Sequence, residues 1–285
     1  MSRVKLTQQL LTGSRRRNTP ASRLLQTGKR IKRNAVNCLR DPSNIRVIVI
    51  TLPKTGTSTL AVSFQRAFNG RSGFNNVLHG HSNECIYRWI PFLRPNKIGV
   101  KDFIDYYNWK HPGKKVIVLH SYREPISRLI SGYFQDNLYC YSRDPTILKA
   151  EILKSLQSLA PVNELYNEYS ENIGSPLFEV PFDHTLGYSY KELETCHIIN
   201  TRVDMLKKLE ELVRSLDPEQ FKNFKIVEAN VQKDALYDLI KKTIVIPKEI
   251  IDKHYENEIK HLNYYYKPDE IKKMKDAWYS RLTIS

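Results

Sequence analysis

The chain has 285 residues, of which 41% are hydrophobic and 26% charged, a globular composition with enough length to bury a sizeable core. That excludes a disulfide mini-scaffold, a zinc-stapled fragment and a collagen-like rod. The net charge of +15 is unevenly placed: residues 1–40 carry 11 Lys and Arg and no Asp or Glu, which leaves 34 basic against 30 acidic residues for the remainder. The expected organisation is a basic arm, 1–40, attached to a nearly neutral folded body, 41–285.

The arm is rich in Ser, Thr, Asn and Arg and holds no long apolar run, so it reads as neither a secretory segment nor a membrane anchor. A charge block of this kind is a solvated tail, and its sign suits a polyanion, such as nucleic acid, or an anionic membrane surface. An Arg-rich, acid-free N-terminus also has the composition of an organelle transit peptide. Cys38, Cys85, Cys140 and Cys196 stand far apart, with no C-x-x-C and no Cys/His cluster at zinc spacing. They are expected to be reduced, partly buried thiols in a cytoplasmic or other reducing compartment, and no metal site is expected.

Within the body, Ile45 to Thr51 is a β-branched run of strand length, apolar enough for a strand buried on both faces. The loop Pro53-Lys54-Thr55-Gly56-Thr57-Ser58-Thr59 follows, then a helical pattern with Leu60, Phe64 and Phe68 four apart, stopped by Asn69-Gly70. Val77-Leu78 is an apolar stub that fits the end of the next parallel strand, and it leads to His79, His81 and Glu84. Lys115 to His120 repeats the strand-to-helix grammar: Ser121-Tyr122-Arg123-Glu124 leads to Pro125 at a first-turn position. The helix after it places Ile126, Leu129, Ile130, Tyr133 and Phe134 on one stripe and leaves Ser127, Arg128, Ser131 and Gln135 off it.

Farther on, His197-Ile198-Ile199 and Phe224-Lys225-Ile226-Val227 are predicted strands. A helix after Pro247 is expected to align Ile251, Tyr255, Ile259 and Leu262, and Pro268 opens a last helix ending near Trp278. Tyr264-Tyr265-Tyr266 is expected to pack between helices. The fold class is α/β, a central parallel sheet flanked by helices with a helical C-terminal third, and the two strand-to-helix loops are expected at the carboxyl edge of that sheet.

The loop Pro53 to Thr59 has the makings of a phosphate cradle, with a glycine that lets the backbone curl and amides and hydroxyls that can donate, at the positive end of a helix. It is not a Walker A loop, because Lys54 precedes the loop's glycine instead of following a second one. Here the chain resembles the sulfotransferases that use 3′-phosphoadenosine 5′-phosphosulfate. Their first signature is a strand followed by a loop like Pro53-Lys54-Thr55-Gly56-Thr57-Ser58-Thr59. Their second, Arg-Asp-Pro-x-x-Arg-x-x-Ser-x-Tyr/Phe, is similar in register to Arg123-Glu124-Pro125 through Arg128, Ser131 and Tyr133, with Glu124 in place of Asp. The resemblance implies a P-loop NTPase-like sulfotransferase fold, a 5′-phosphosulfate held by residues 53–59, and a 3′-phosphate held by Arg123 and Ser131. It covers Ile45 to Phe134; the closing Trp278-Tyr279-Ser280 resembles the ending of a capsular polysaccharide synthesis family.

On that resemblance, Lys54 is the expected electrostatic catalyst at the leaving phosphate. The acceptor, expected to be a carbohydrate hydroxyl, needs a general base, for which His81, His79 and Glu84 are the candidates in that order. A P-loop-like nucleotide kinase is the alternative enzyme, and a phosphate or nucleic-acid binding module the alternative outside catalysis.

Overall fold

A computed structural model describes residues 44–68, 76–81, 100–136, 141–159, 162–229 and 235–282. The basic arm, Glu84, Cys38, Cys85 and Cys140 lie outside the described residues.

The β-branched run becomes β1, Val47–Ile50, with all four side chains buried, as a strand covered on both faces requires. The chain continues through α1 (Thr57–Ala67), β2 (Val77–Gly80), α2 (Val100–Lys110), β3 (Val116–Tyr122) and α3 (Pro125–Asp136). Two further helices, α4 (Pro145–Leu156) and α5 (Val162–Ile173), precede β4 (Tyr188–Glu192) and β5 (Cys196–Arg202). A 3₁₀ segment (Val203–Lys208) leads into α6 (Leu209–Leu216), α7 (Pro218–Phe221) and α8 (Ala235–Thr243). The chain then ends in α9 (Lys248–Asn257), α10 (Ile259–Tyr265) and α11 (Pro268–Tyr279).

The strands form one sheet in the order β2-β1-β3-β5-β4. Neighbours are parallel except for β4, which runs antiparallel to β5 at the edge. From β1 the chain winds outward to β2, then returns past β1 to β3, so the order reverses between β1 and β3. Leu60 and Phe64 of α1 pack with Val47, Val49, Phe221 and Phe224 on one face. Ile126, Ile130 and Phe134 of α3 pack with Ile48, Ile50, Tyr169 and Tyr265 on the other. The helices that follow β1 and β3 therefore lie on opposite faces, and their first turns border one crevice.

Three expectations need correction. Phe224 to Val227 does not join the sheet: it lies alongside α1, and its amides are taken by side chains, Ile226 N donating to Glu210 at 3.0 Å and Val227 N to Ser63 at 2.9 Å. The helix after Pro247 breaks at Glu258, whose φ of −113° is not helical, and Ile259 is left 44% exposed while Ile251, Tyr255 and Leu262 are buried. Arg128 is not a solvent-facing residue: it is buried in an ion pair with Glu258, which also accepts from Tyr122 at 2.9 Å. Burial holds the Glu258 carboxyl above the usual range, against the pull of Arg128.

Tyr264, Tyr265 and Tyr266 pack as expected. Tyr264 donates to the Val180 carbonyl at 2.7 Å, Tyr265 stacks on Tyr122 at 4.8 Å, and Tyr266 carries Arg202 over its ring at 4.1 Å. His120, on β3, is enclosed by Tyr166, Tyr169, Phe178 and Tyr265, and its Nδ1 meets the Tyr265 hydroxyl at 2.7 Å. Burial, with His261 nearby, pushes its pKa down to about 3; His261, stacked on Tyr166 at 3.8 Å, is lowered to about 4 by burial and by Arg128. Both folded values lie below the unfolded value of about 6.5, so the unfolded chain binds more protons between them. Stability is full above pH 6.5 and declines as pH falls towards 4, by about 1.4 kcal/mol per pH unit for each imidazole. Urea titrations should give a protein less stable at pH 5 than at pH 7, and His261→Phe should flatten that slope; an unchanged slope would show that these rings do not set it.

Candidate active site

The crevice at the reversal of strand order is where open α/β sheets receive ligands, and the two sequence signatures meet there. Thr51 and Leu52 are buried at the end of β1, and the loop turns through two residues in left-handed backbone, Lys54 at φ 68° and Gly56 at φ 83°. At Gly56 glycine is required twice over, because a Cβ would also meet Leu206 Cδ1 at 3.1 Å. Gly56 is the N-cap of α1 without any side-chain cap, and no acidic residue stands in the helix's first turn. The leading amides of α1 therefore keep the partial positive charge that favours an oxyanion.

The loop's hydroxyls divide in role. Thr55 donates to the Leu52 carbonyl at 2.7 Å, Thr57 meets Thr51 at 2.5 Å, and Thr59 bonds the Ala229 carbonyl and amide at 3.2 and 3.3 Å. Those of Thr55, Thr57 and Thr59 thus hold the loop's shape and strap residues 224–229 along α1. Backbone amides, half-buried Ser58 and Lys54 are the loop's means of meeting an anion, while Pro53 is exposed.

The second signature follows β3. Ser121 donates to the Thr55 carbonyl, tying the two loops together. The stem of Lys54 lies against α3, its Cγ at 3.9 Å from where a Gly132 Cβ would stand, next to Ser131 in sequence. Arg123 is half-buried, with its guanidinium 3.5 Å from the hydroxyl of Tyr237 on α8. Lys54 thus lies against α3 at Gly132, next in sequence to Ser131, and Arg123 stands just before the start of the same helix.

Glu124 has a different part. Its buried carboxylate accepts from the Ile126 and Ser127 amides at 3.0 and 2.7 Å, closing the start of α3, and from Tyr255 and Trp278 at 2.9 and 3.3 Å. Two helix starts border the crevice, and this carboxylate occupies one of them. Trp278 and Tyr279 of α11 are packing anchors, the latter bonded to Asp252 of α9.

His79 lies on β2 opposite Val49, in mid-strand and half-buried. His81 stands just past the end of β2, beside the start of the loop: its Nδ1 is 2.8 Å from the Thr51 carbonyl, and Tyr169 donates to its own carbonyl at 2.7 Å. A carbonyl only accepts, so Nδ1 carries a proton, and in the neutral ring the lone pair is on Nε2, the tautomer a general base uses. His120 is fully buried, and His184 sits in a turn where Asp183 accepts from the Thr185 and Leu186 amides at 2.7 and 2.8 Å. Glu84 lies outside the described residues. Among the described residues no group of His, Cys, Asp and Glu could hold a metal ion, and Cys196 is buried in β5 with its thiol pushed up by burial.

Sequence reasoning missed Tyr237, Tyr255 and Thr51. Their parts rest on long-range pairing; the one usable signal was Glu124 standing where the second signature has Asp. Glu124→Ala is expected to cost about 3 kcal/mol, because it removes a helix cap and orphans the Tyr255 and Trp278 donors. Glu124→Gln, which keeps an acceptor oxygen, should cost less. Chemical denaturation at pH 7 checks both, and equal small losses would deny the carboxylate this part.

No protein family, no curated protein and no solved structure matches the chain.

Proposed function

We propose that the protein is a sulfotransferase that moves a sulfuryl group from 3′-phosphoadenosine 5′-phosphosulfate to an acceptor hydroxyl, in the first instance that of a carbohydrate. The observation that carries this reading is the meeting of the two signatures at the reversal of strand order, with the stem of Lys54 against α3 at Gly132. An uncapped α1 suits the 5′-phosphosulfate end of the donor. At α3 the helix start is filled by Glu124, so a second phosphate there is met by the side chains of Arg123 and Ser131.

In the transfer, the acceptor oxygen forms a bond to sulfur as the bond from sulfur to the bridging oxygen breaks. Adenosine 3′,5′-bisphosphate leaves, and the acceptor proton goes to Nε2 of His81. Negative charge grows on the leaving phosphate, where the Lys54 ammonium stabilises it. The Thr51 carbonyl holds His81 in the proton-accepting tautomer and stabilises the imidazolium that forms.

Calorimetry should show adenosine 3′,5′-bisphosphate binding at least about tenfold more tightly than 5′-AMP or ATP with magnesium, since only the first has a 3′-phosphate for Arg123 and Ser131. Equal affinities would overturn the reading. With a labelled donor and a panel of acceptors, Lys54→Ala should lower turnover about a hundredfold or more with a smaller loss of donor affinity. His81→Ala should lose turnover at unchanged donor affinity, and wild-type turnover should decline as pH falls through the imidazole range, because the base must be neutral. Full activity in His81→Ala would move the base elsewhere.

A further inference from the structure

A second charged feature lies at the other end of α1, away from the crevice. The last turns of α1, the turn before β3 and the segment around α7 border an open cavity of about 470 Å³ on the amino-terminal side of the sheet. Four cations line it: Arg66, Lys114, Lys222 and Lys225. Of its two carboxylates, Asp217 is already engaged, pairing with Arg46 at 2.6 Å and accepting from the Gln220 amide at 2.9 Å. Asp217 also interacts electrostatically with Lys114, and Glu219 is the other carboxylate set against the four cations. Among the described residues no ion pair engages any of the four.

Like charges gathered around one concavity repel each other, and a chain with no use for them would spread them apart. Here four cations share one lining with two carboxylates, one of which is paired with Arg46. Phe224 and Val227 give the cavity an apolar part, and its volume suits a ligand of nucleotide or disaccharide size. The carboxyl end of α1 adds about half a negative charge, too little to cancel the side chains. We propose that this cavity is a second anion site, which takes a small molecule bearing two or more sulfate or phosphate groups. It is separate from the crevice, because α1, 11 residues and about 16 Å long, stands between them.

The test uses the full chain and two probes: inorganic tripolyphosphate, and a fully sulfated heparin tetrasaccharide, with an unsulfated tetrasaccharide as control. The double variant Lys222→Glu with Lys225→Glu alters only exposed residues, so it should fold as the wild type does. Lys253→Glu with Lys272→Glu, also exposed and on α9 and α11, makes the same change in net charge away from the cavity. Titration calorimetry should show at least one probe bound with an affinity that falls as salt rises. The cavity variant should lose about tenfold or more of it, the control variant less than about threefold, and Lys54→Ala almost none. The basic arm is the same in all of these proteins, so its own contribution cancels. Binding of adenosine 3′,5′-bisphosphate should be unchanged in the cavity variant, which keeps the test independent of the proposed transfer reaction. Which probe binds decides between a polyphosphate and a sulfated saccharide as the ligand. Equal losses in the cavity and control variants, loss confined to Lys54→Ala, or no binding of either charged probe would overturn the proposal.

Discussion

The carboxylate of Glu124 is buried, and a buried charge of that kind persists only when it is saturated with hydrogen bonds. Its donors come from three places: two amides at the start of α3, the phenol of Tyr255 on α9 and the indole of Trp278 on α11. The position of α3 against β3 is therefore fixed in part by helices more than 130 residues farther along the chain. One turn into α3, Arg128 repeats the arrangement through Glu258 and Tyr122. The wall of the crevice that bears Arg123 and Ser131 is thus held from behind by the C-terminal helices, whose main contribution to the site is to hold it still.

The two walls of the crevice differ in what they offer an anion. At α1 the helix start is open, so backbone dipoles and Lys54 are its means of attraction. At α3 a carboxylate of the chain itself has taken the leading amides, and attraction rests on a guanidinium and a hydroxyl carried just before and beyond it. Under the proposed function, backbone donors on one side and a forked side-chain donor on the other would favour a molecule with two phosphates over a molecule with one, because neither wall alone satisfies the second group.

Much of this was legible in the sequence, for local reasons. β1 and β3 are β-branched runs, α1 and α3 have apolar stripes at helical spacing, and the loop between β1 and α1 carries its glycine where the backbone turns left-handed. What was not legible depends on partners remote in the chain. Phe224 to Val227 has the composition of a strand, yet Ser63 and Glu210 take the amides a sheet would have used. Arg128 stands off the apolar stripe of its helix, and its burial rests on a partner 130 positions away. The tautomer of His81 follows from β2 lying beside β1 in a register that brings Thr51 within reach, and parallel pairing of that kind leaves no local mark.

Lys54 combines two demands that conflict. Its charge is wanted at the crevice, and its backbone sits at φ 68°, a region in which a residue with a Cβ is less stable than glycine by about 1 kcal/mol. Selection for stability alone would place glycine there, beside Gly56, and the loop would relax. On the proposed function, a lysine kept in that conformation gives up stability for a charge in a fixed place, and the hydroxyls of Thr51, Thr55 and Ser121 brace the short loop that carries it.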